Sequence, residues 1–172
     1  MNISQYIFDR AVRKQQRTVK YHSYAQSRNI LILFESELQE RHTQIKQLIK
    51  ELQKEGKEVT AWGYVDKKQA VTAVLRDFRV LDKQSFGLFH RPKKALVEEF
   101  EKMHFDLLID LNTNPELLEL RYLTLLANAD LKTGLACYKE PYIHDMMISL
   151  PDEKSDTIIL FDQILHYLKT IS

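Results

Sequence analysis

Phe105-Asp106-Leu107-Leu108-Ile109-Asp110-Leu111-Asn112-Thr113-Asn114-Pro115 is the stretch whose reading decides the fold. A short apolar run flanked by aspartates opens into a polar loop, and a proline then begins a helix. Continuous apolarity over strand length means burial on both faces, as in the centre of a parallel sheet. In an open α/β sheet such a strand delivers its carboxyl end to the crevice where ligands bind. The exit loop, Asp110 to Asn114, is therefore the place where a site is expected.

Upstream, Asn29-Ile30-Leu31-Ile32-Leu33-Phe34 is a second unbroken apolar run. Ser36, three residues before Gln39, has capping-box spacing. Leu38, Ile45, Leu48, Ile49 and Leu52 then form one helical face to about Lys54, and Gly56 is a ready stop. Residues 57–65 predict another strand, which completes a right-handed βαβ unit. The middle is less regular. Residues 67–75 suggest a short helix, 76–80 an irregular or edge element, and 85–89 a short strand. Pro92 suits the first turn of a helix running to Met103. Beyond the opening stretch, a helix is expected from Pro115 to about Asn128, strands at 131–136 and 142–149, and a closing helix at 155–171. At the other end, Ile3, Ile7 and Ala11 fall at helical spacing within 2–20, with Asn2 or Ser4 as cap. The domain division that follows is a basic N-terminal helix and connector over 1–28, and a single α/β domain over 29–172.

The composition is that of an ordinary globular protein, 44% hydrophobic and 28% charged, with only four glycines and four prolines among 172 residues. Net charge is +1, so no global field draws nucleic acid or membrane. The charge is nonetheless uneven. Residues 1–28 hold Arg10, Arg13, Lys14, Arg17, Lys20 and Arg28 against Asp9 alone, a net of +5 that leaves −4 for the rest. The basic run, with Tyr6, Phe8, Tyr21, His22 and Tyr24 around it, would meet an anionic partner such as nucleic acid, or else the acidic body of its own chain. The single cysteine, Cys137, rules out an internal disulfide and points to a reducing compartment. The N-terminus has no apolar leader, and no run approaches the ~20 residues of a membrane helix. A cytoplasmic protein without a membrane span is expected.

The turn after the first strand, Phe34-Glu35-Ser36-Glu37, contains no glycine. A dinucleotide fold needs glycines there to bring backbone N–H groups close to a pyrophosphate, and two carboxylates repel that anion. Asp66 stands where a ribose-binding acid would, but without the glycines it reads as a turn residue. Asp106 and Asp110 point to one side of their strand, ~13 Å apart at ~3.3 Å per residue, too far to share a proton. Asp110, Asn112, Thr113 and Asn114 form the best polar cluster. They serve either to cap the helix begun by Pro115 or to contact a ligand. The six histidines show neither HxxxH nor HxH spacing, so no metal site is expected. Only His144 adjoins a carboxylate, Asp145, and strand neighbours face opposite ways. Cys137 lacks an evident base and fits a small buried apolar position. No catalytic residue and no cofactor follow from these motifs.

The 105–111 strand, the helix after it and Leu131-Lys132-Thr133-Gly134 resemble the corresponding strand, helix and K-x-G strand in the N-terminal half of heptosyltransferase-type glycosyltransferases, over about residues 104–136. Those enzymes hold a sugar nucleotide in a second domain, so no residue role carries over. The whole layout, with a basic N-terminal helix, "NILILFE", "FDLLIDL" and a closing "LFDQILHYL", is similar to a small uncharacterised family of Bacteroidota proteins. That resemblance implies a cytoplasmic domain of unknown function. The fold expected is a Rossmann-like or flavodoxin-like three-layer sandwich with a mainly parallel sheet and an N-terminal helical extension. The function expected is a non-enzymatic binding module, acting on a protein partner or by self-association. The alternatives are a small-ligand or nucleotide-sugar binder using Asp110, Asn112, Thr113 and Asn114, and a nucleic-acid binder using Arg10, Arg13, Lys14, Arg17 and Lys20.

Overall fold

A computed structural model describes residues 2–36, 39–66, 74–75, 77–136, 140–150 and 156–171. Its core is one sheet. The strands are β1 (Asn29–Glu35), β2 (Glu58–Tyr64), β3 (Val74–Leu75), β4 (Phe78–Leu81), β5 (Phe105–Asp110), β6 (Ala129–Leu135) and β7 (Met146–Ile148), ordered β3-β4-β2-β1-β5-β6-β7. All neighbours pair in parallel except β3, a two-residue antiparallel edge on β4. Counting only the parallel strands in chain order, the sheet reads 3-2-1-4-5-6, which is the Rossmann order rather than the flavodoxin one.

The apolar runs behave as double-sided burial demands. From β1, Ile30, Ile32 and Phe34 enter one core layer, while Leu31 and Leu33 enter the other. The first layer is covered by α2 (Gln39–Lys54) and α5 (Thr157–Thr170), through Ile45, Leu48, Ile49, Leu52, Leu160, Phe161, Ile164 and Leu168. The second is covered by α3 (Lys94–Glu101) and α4 (Leu118–Leu126), through Leu96, Phe100, Leu120 and Leu123. Gly56, at φ 79°, ends α2 in the left-handed conformation that a side chain would strain. No helix among the described residues is long and apolar enough to cross a membrane.

Several local expectations need correction. The N-terminal helix α1 (Ile3–Lys14) starts at an Asn2 cap and ends six residues earlier than predicted. Phe8 and Val12 pack against Leu118, Tyr122 and Leu125 of α4. The chain then straightens so that Lys20 N–H can donate to the Asp130 carbonyl and Arg17 can reach those of Ala129 and Asp130. Of the helix expected over 67–75, residues 67–73 lie outside the described residues, and 74–75 are strand. The element expected as irregular or edge is β4, second from the edge. Residues 85–89 are not a strand. Asp82 caps a 3₁₀ turn at Lys83–Ser85, Phe86 buries its ring against Tyr64, and a second turn follows at Leu88–His90. Residues 115–117 precede α4 as a turn, and the expected 142–149 strand shrinks to the three residues of β7. Ser36 bonds to His42 Nε2 in α2, and the Gln39 side chain of the expected capping box lies outside the described residues, as does Cys137.

Candidate functional site

The strand order reverses between β1 and β5, so their carboxyl ends flank the switch-point crevice. Asp110 closes β5 there and is 2% exposed. One carboxylate oxygen accepts the Asn112 N–H at 3.0 Å. The other accepts the Thr124 hydroxyl of α4 at 2.9 Å and lies 2.9 Å from His144 Nε2. His144 belongs to the segment entering β7 and rests over Gly134 of β6. Any Cβ at Gly134 would collide with the imidazole ring, so the glycine makes this histidine's position available. The Asn112 side chain accepts the Asn114 N–H at 3.0 Å, and the Asn114 side chain accepts the Glu116 N–H at 3.0 Å. Three successive side-chain-to-backbone turns thus carry the chain from β5 towards α4. Thr113 sits half-buried among them, and its hydroxyl has no protein partner among the described residues.

Beneath this network lies Lys132 of β6, 1% exposed. Its Nζ donates to the carbonyls of Thr124 and Leu125, 2.7 and 2.9 Å away, in the final turn of α4. Helix ends leave such carbonyls without intrahelical donors, and Lys132 supplies them from below. Burial pushes its ammonium down to about 7. Nearby Arg17 acts in the same direction and Asp145 opposes it.

The other flank of the crevice carries a second hydrogen-bonded network. Tyr64, at the end of β2, is fully buried and donates its hydroxyl to Glu119 Oε1 in the first turn of α4 at 2.8 Å. Burial and then the Glu119 carboxylate push that hydroxyl far up. His90 Nδ1 meets the same Glu119 oxygen at 2.7 Å. Asp66 pairs with Lys83 at 2.8 Å. Glu35, Asp82 and Asp110 add three more acids at or just after the carboxyl ends of β1, β4 and β5. Among the described residues, an anion entering here meets these carboxylates.

The predicted basic contacts divide into two groups. Arg17 pairs with Asp145 at 2.5 Å, and Lys20 lies 4.0 Å from Asp130, so both face the chain's own acids. Arg10, Arg13 and Lys14 are exposed on α1. Sequence reasoning missed the Asp110–His144 contact, which joins residues 34 apart, and the Tyr64–Glu119–His90 chain, which joins three distant segments. It also missed a cluster at the opposite, amino-terminal edge of the sheet. There His22 and His104 converge on Asp130, with Asp106 alongside. A groove of about 430 Å³ opens next to it, lined in part by His104, Met103, Asn29 and Thr60.

A family model matches residues 2–171, almost the entire chain. The chain belongs to the DUF6913 family. DUF6913 is a family of unknown function. No curated protein and no solved structure matches the chain. The DUF6913 match takes in the basic α1 and its connector as well as the sheet, so the segment that straps β6 falls within the region the family model covers.

Proposed function

We propose that this DUF6913 protein is a non-enzymatic binding module that keeps the Rossmann strand order and has given up the nucleotide site. The observation that carries the reading is Asp110. At the position where a ligand group would sit, both of its oxygens are committed to Asn112, Thr124 and His144. The acidic, glycine-free turn at Glu35-Ser36-Glu37 supports the same conclusion, because it repels the phosphates that such a crevice ordinarily takes. The partner is a protein. Leu88 is 82% exposed and Phe89 38% exposed on a turn whose Phe89 and His90 hold φ of 58° and 61°. Left-handed backbone in a bulky residue is uncommon and persists only where surroundings over-determine it. Here the His90 contact to buried Glu119 does so, and the turn presents two apolar side chains outward. A reducing, cytoplasmic setting suits the lone Cys137.

The test is a thermal-shift panel of nucleotides, sugar nucleotides and sugars on the full chain, followed by partner capture with wild type and Leu88→Asp. No nucleotide should stabilise the protein, and capture should fall with Leu88→Asp. A ligand at 100 times its Kd would add ~2.7 kcal/mol, so a clear upward shift with any nucleotide overturns the reading. That outcome would favour the second reading, a small-ligand or nucleotide-sugar binder built on Asp110, Asn112, Thr113 and Asn114, for which the unpartnered Thr113 hydroxyl is the supporting feature. Binding of nucleic acid through Arg10, Arg13 and Lys14, with Arg17 and Lys20 at its margin, would instead show affinity falling steeply with salt.

A further inference from the structure

We propose that the amino-terminal edge of the sheet carries a divalent transition-metal site formed by His22, His104, Asp106 and Asp130. Its chemistry is that of a borderline ion such as zinc, and it stands apart from the binding-module reading. Phe105 of β5 pairs with Ala129 of β6, so Asp106 and Asp130, each one residue further along, enter the sheet side by side. His104 immediately precedes β5, and His22 comes from the connector before β1. His22 Nε2 lies 2.9 Å from one oxygen of Asp130, and His104 Nε2 lies 3.1 Å from the other. The ligand atoms of His22, Asp106 and Asp130 all fall within 4.8 Å of one another. Zinc bonds to nitrogen and oxygen are ~2.0–2.2 Å, so the ligand atoms of a tetrahedral ion stand ~3.3–3.6 Å apart. Closing His22, Asp106 and Asp130 onto one ion takes shifts of about an ångström or less per side chain, while His104, outside that set, swings in from the other Asp130 oxygen.

The donor set selects the ion. Two imidazole nitrogens with carboxylate oxygens suit zinc, cobalt or nickel, whereas magnesium and calcium prefer oxygen alone. The two carboxylates balance the charge of a dication. The supporting contacts are those expected around ligands. Asp106 Oδ2 is held by the backbone N–H groups of Arg28 and Asn29 at 2.6 and 2.9 Å. This fixes the carboxylate's orientation, and its second oxygen has no donor among the described residues. The adjacent 430 Å³ groove gives the ion an aqueous path past His104. Lys20, 4.0 Å from Asp130, is the competing cation, and with its side chain 64% exposed it is free to swing away.

The experiment is titration of the chelator-stripped full chain with zinc chloride and cobalt chloride, read by calorimetry and by cobalt absorption, with magnesium chloride as control. One zinc per chain is expected, with intense cobalt bands of low-coordinate geometry and no heat from magnesium. The side chains of His22 and His104 are 38% and 48% exposed, so His22→Ala and His104→Ala should fold normally by circular dichroism. Each should weaken zinc binding by at least the ~10–100-fold that even outer-shell changes cost. His166→Ala, on the exposed face of α5, should bind as wild type does. Absence of zinc binding in the wild type overturns the proposal. So does zinc binding that survives both His22→Ala and His104→Ala, or that His166→Ala weakens equally.

Discussion

Lys132→Met should remove a specific pH dependence of stability. In the folded chain the Lys132 ammonium loses its proton near 7, against 10.5 for an ordinary lysine. Between those values the unfolded chain binds a proton that the folded chain does not, so raising the pH favours folding. The penalty of burying the charge is fully present below pH 7 and fades as pH climbs towards 10.5. At ~1.4 kcal/mol per pH unit, moving from about pH 6 to about pH 9 should stabilise the wild type by about 3 kcal/mol relative to Lys132→Met. The geometry agrees with the sign, because a neutral amine has two N–H groups and Nζ faces two carbonyls, those of Thr124 and Leu125. Met supplies neither donor and leaves the Thr124 carbonyl bare, while Leu125 keeps the Gln15 amide as donor, an offset of ~1–3 kcal/mol that does not vary with pH. Urea unfolding of both proteins at four pH values isolates the effect. Lys57, also lowered by burial, is common to both and cancels in the difference. A stability difference that stays flat from pH 6 to 9 refutes a buried, neutral Lys132.

Asp110→Ala strands the Thr124 hydroxyl, the His144 ring and the Asn112 N–H together, and should cost ~3–5 kcal/mol in urea midpoints; a loss below 1 kcal/mol would mean the network contributes little. Gly134→Ala drives a methyl into the His144 ring and should cost ~1–3 kcal/mol, with the histidine's NMR shifts displaced; unchanged shifts would contradict the contact. Phe89→Gly releases a bulky residue from φ 58° and should gain ~0.5–1 kcal/mol while weakening partner capture; a lower melting temperature would show that the turn is not strained.

The parts of the fold that could be read in advance are those in which one physical rule dominates. Residues 30–34 and 107–109 are apolar without interruption because both their faces are covered, and that pattern has few other solutions. Residues 85–89 carry Phe86, Leu88 and Phe89 yet form turns, because the Asp82 side chain captures the Gln84 N–H and the Gly87 N–H bonds to Arg91 instead of to a neighbouring strand. Nothing local in residues 15–20 says that α1 must stop at Lys14. The cause is Asp145 and the β6 carbonyls, more than a hundred residues away. The same limit governs the sites. Asn112 and Asn114 bond to neighbours two residues away, but they are not the expected cap, because α4 starts at Leu118 with Leu117 before it and no side-chain cap bond. His144 on Asp110, and His22 with His104 on Asp130, are products of strand order, and no spacing rule along the chain contains them.

The sheet's two ends have a bearing on how this protein can be recognised. Among the described residues, it finishes in a two-residue antiparallel strand on one side and a three-residue strand on the other. An incoming extended peptide needs a long, regular row of free amides and carbonyls to lengthen a sheet, and strands this short offer at most one or two such rungs. Along these described edges, backbone annealing, between copies or with a foreign segment, has little to grip. A partner meeting these edges reads side chains standing on the loops and helices, so point substitutions on that surface govern its recognition.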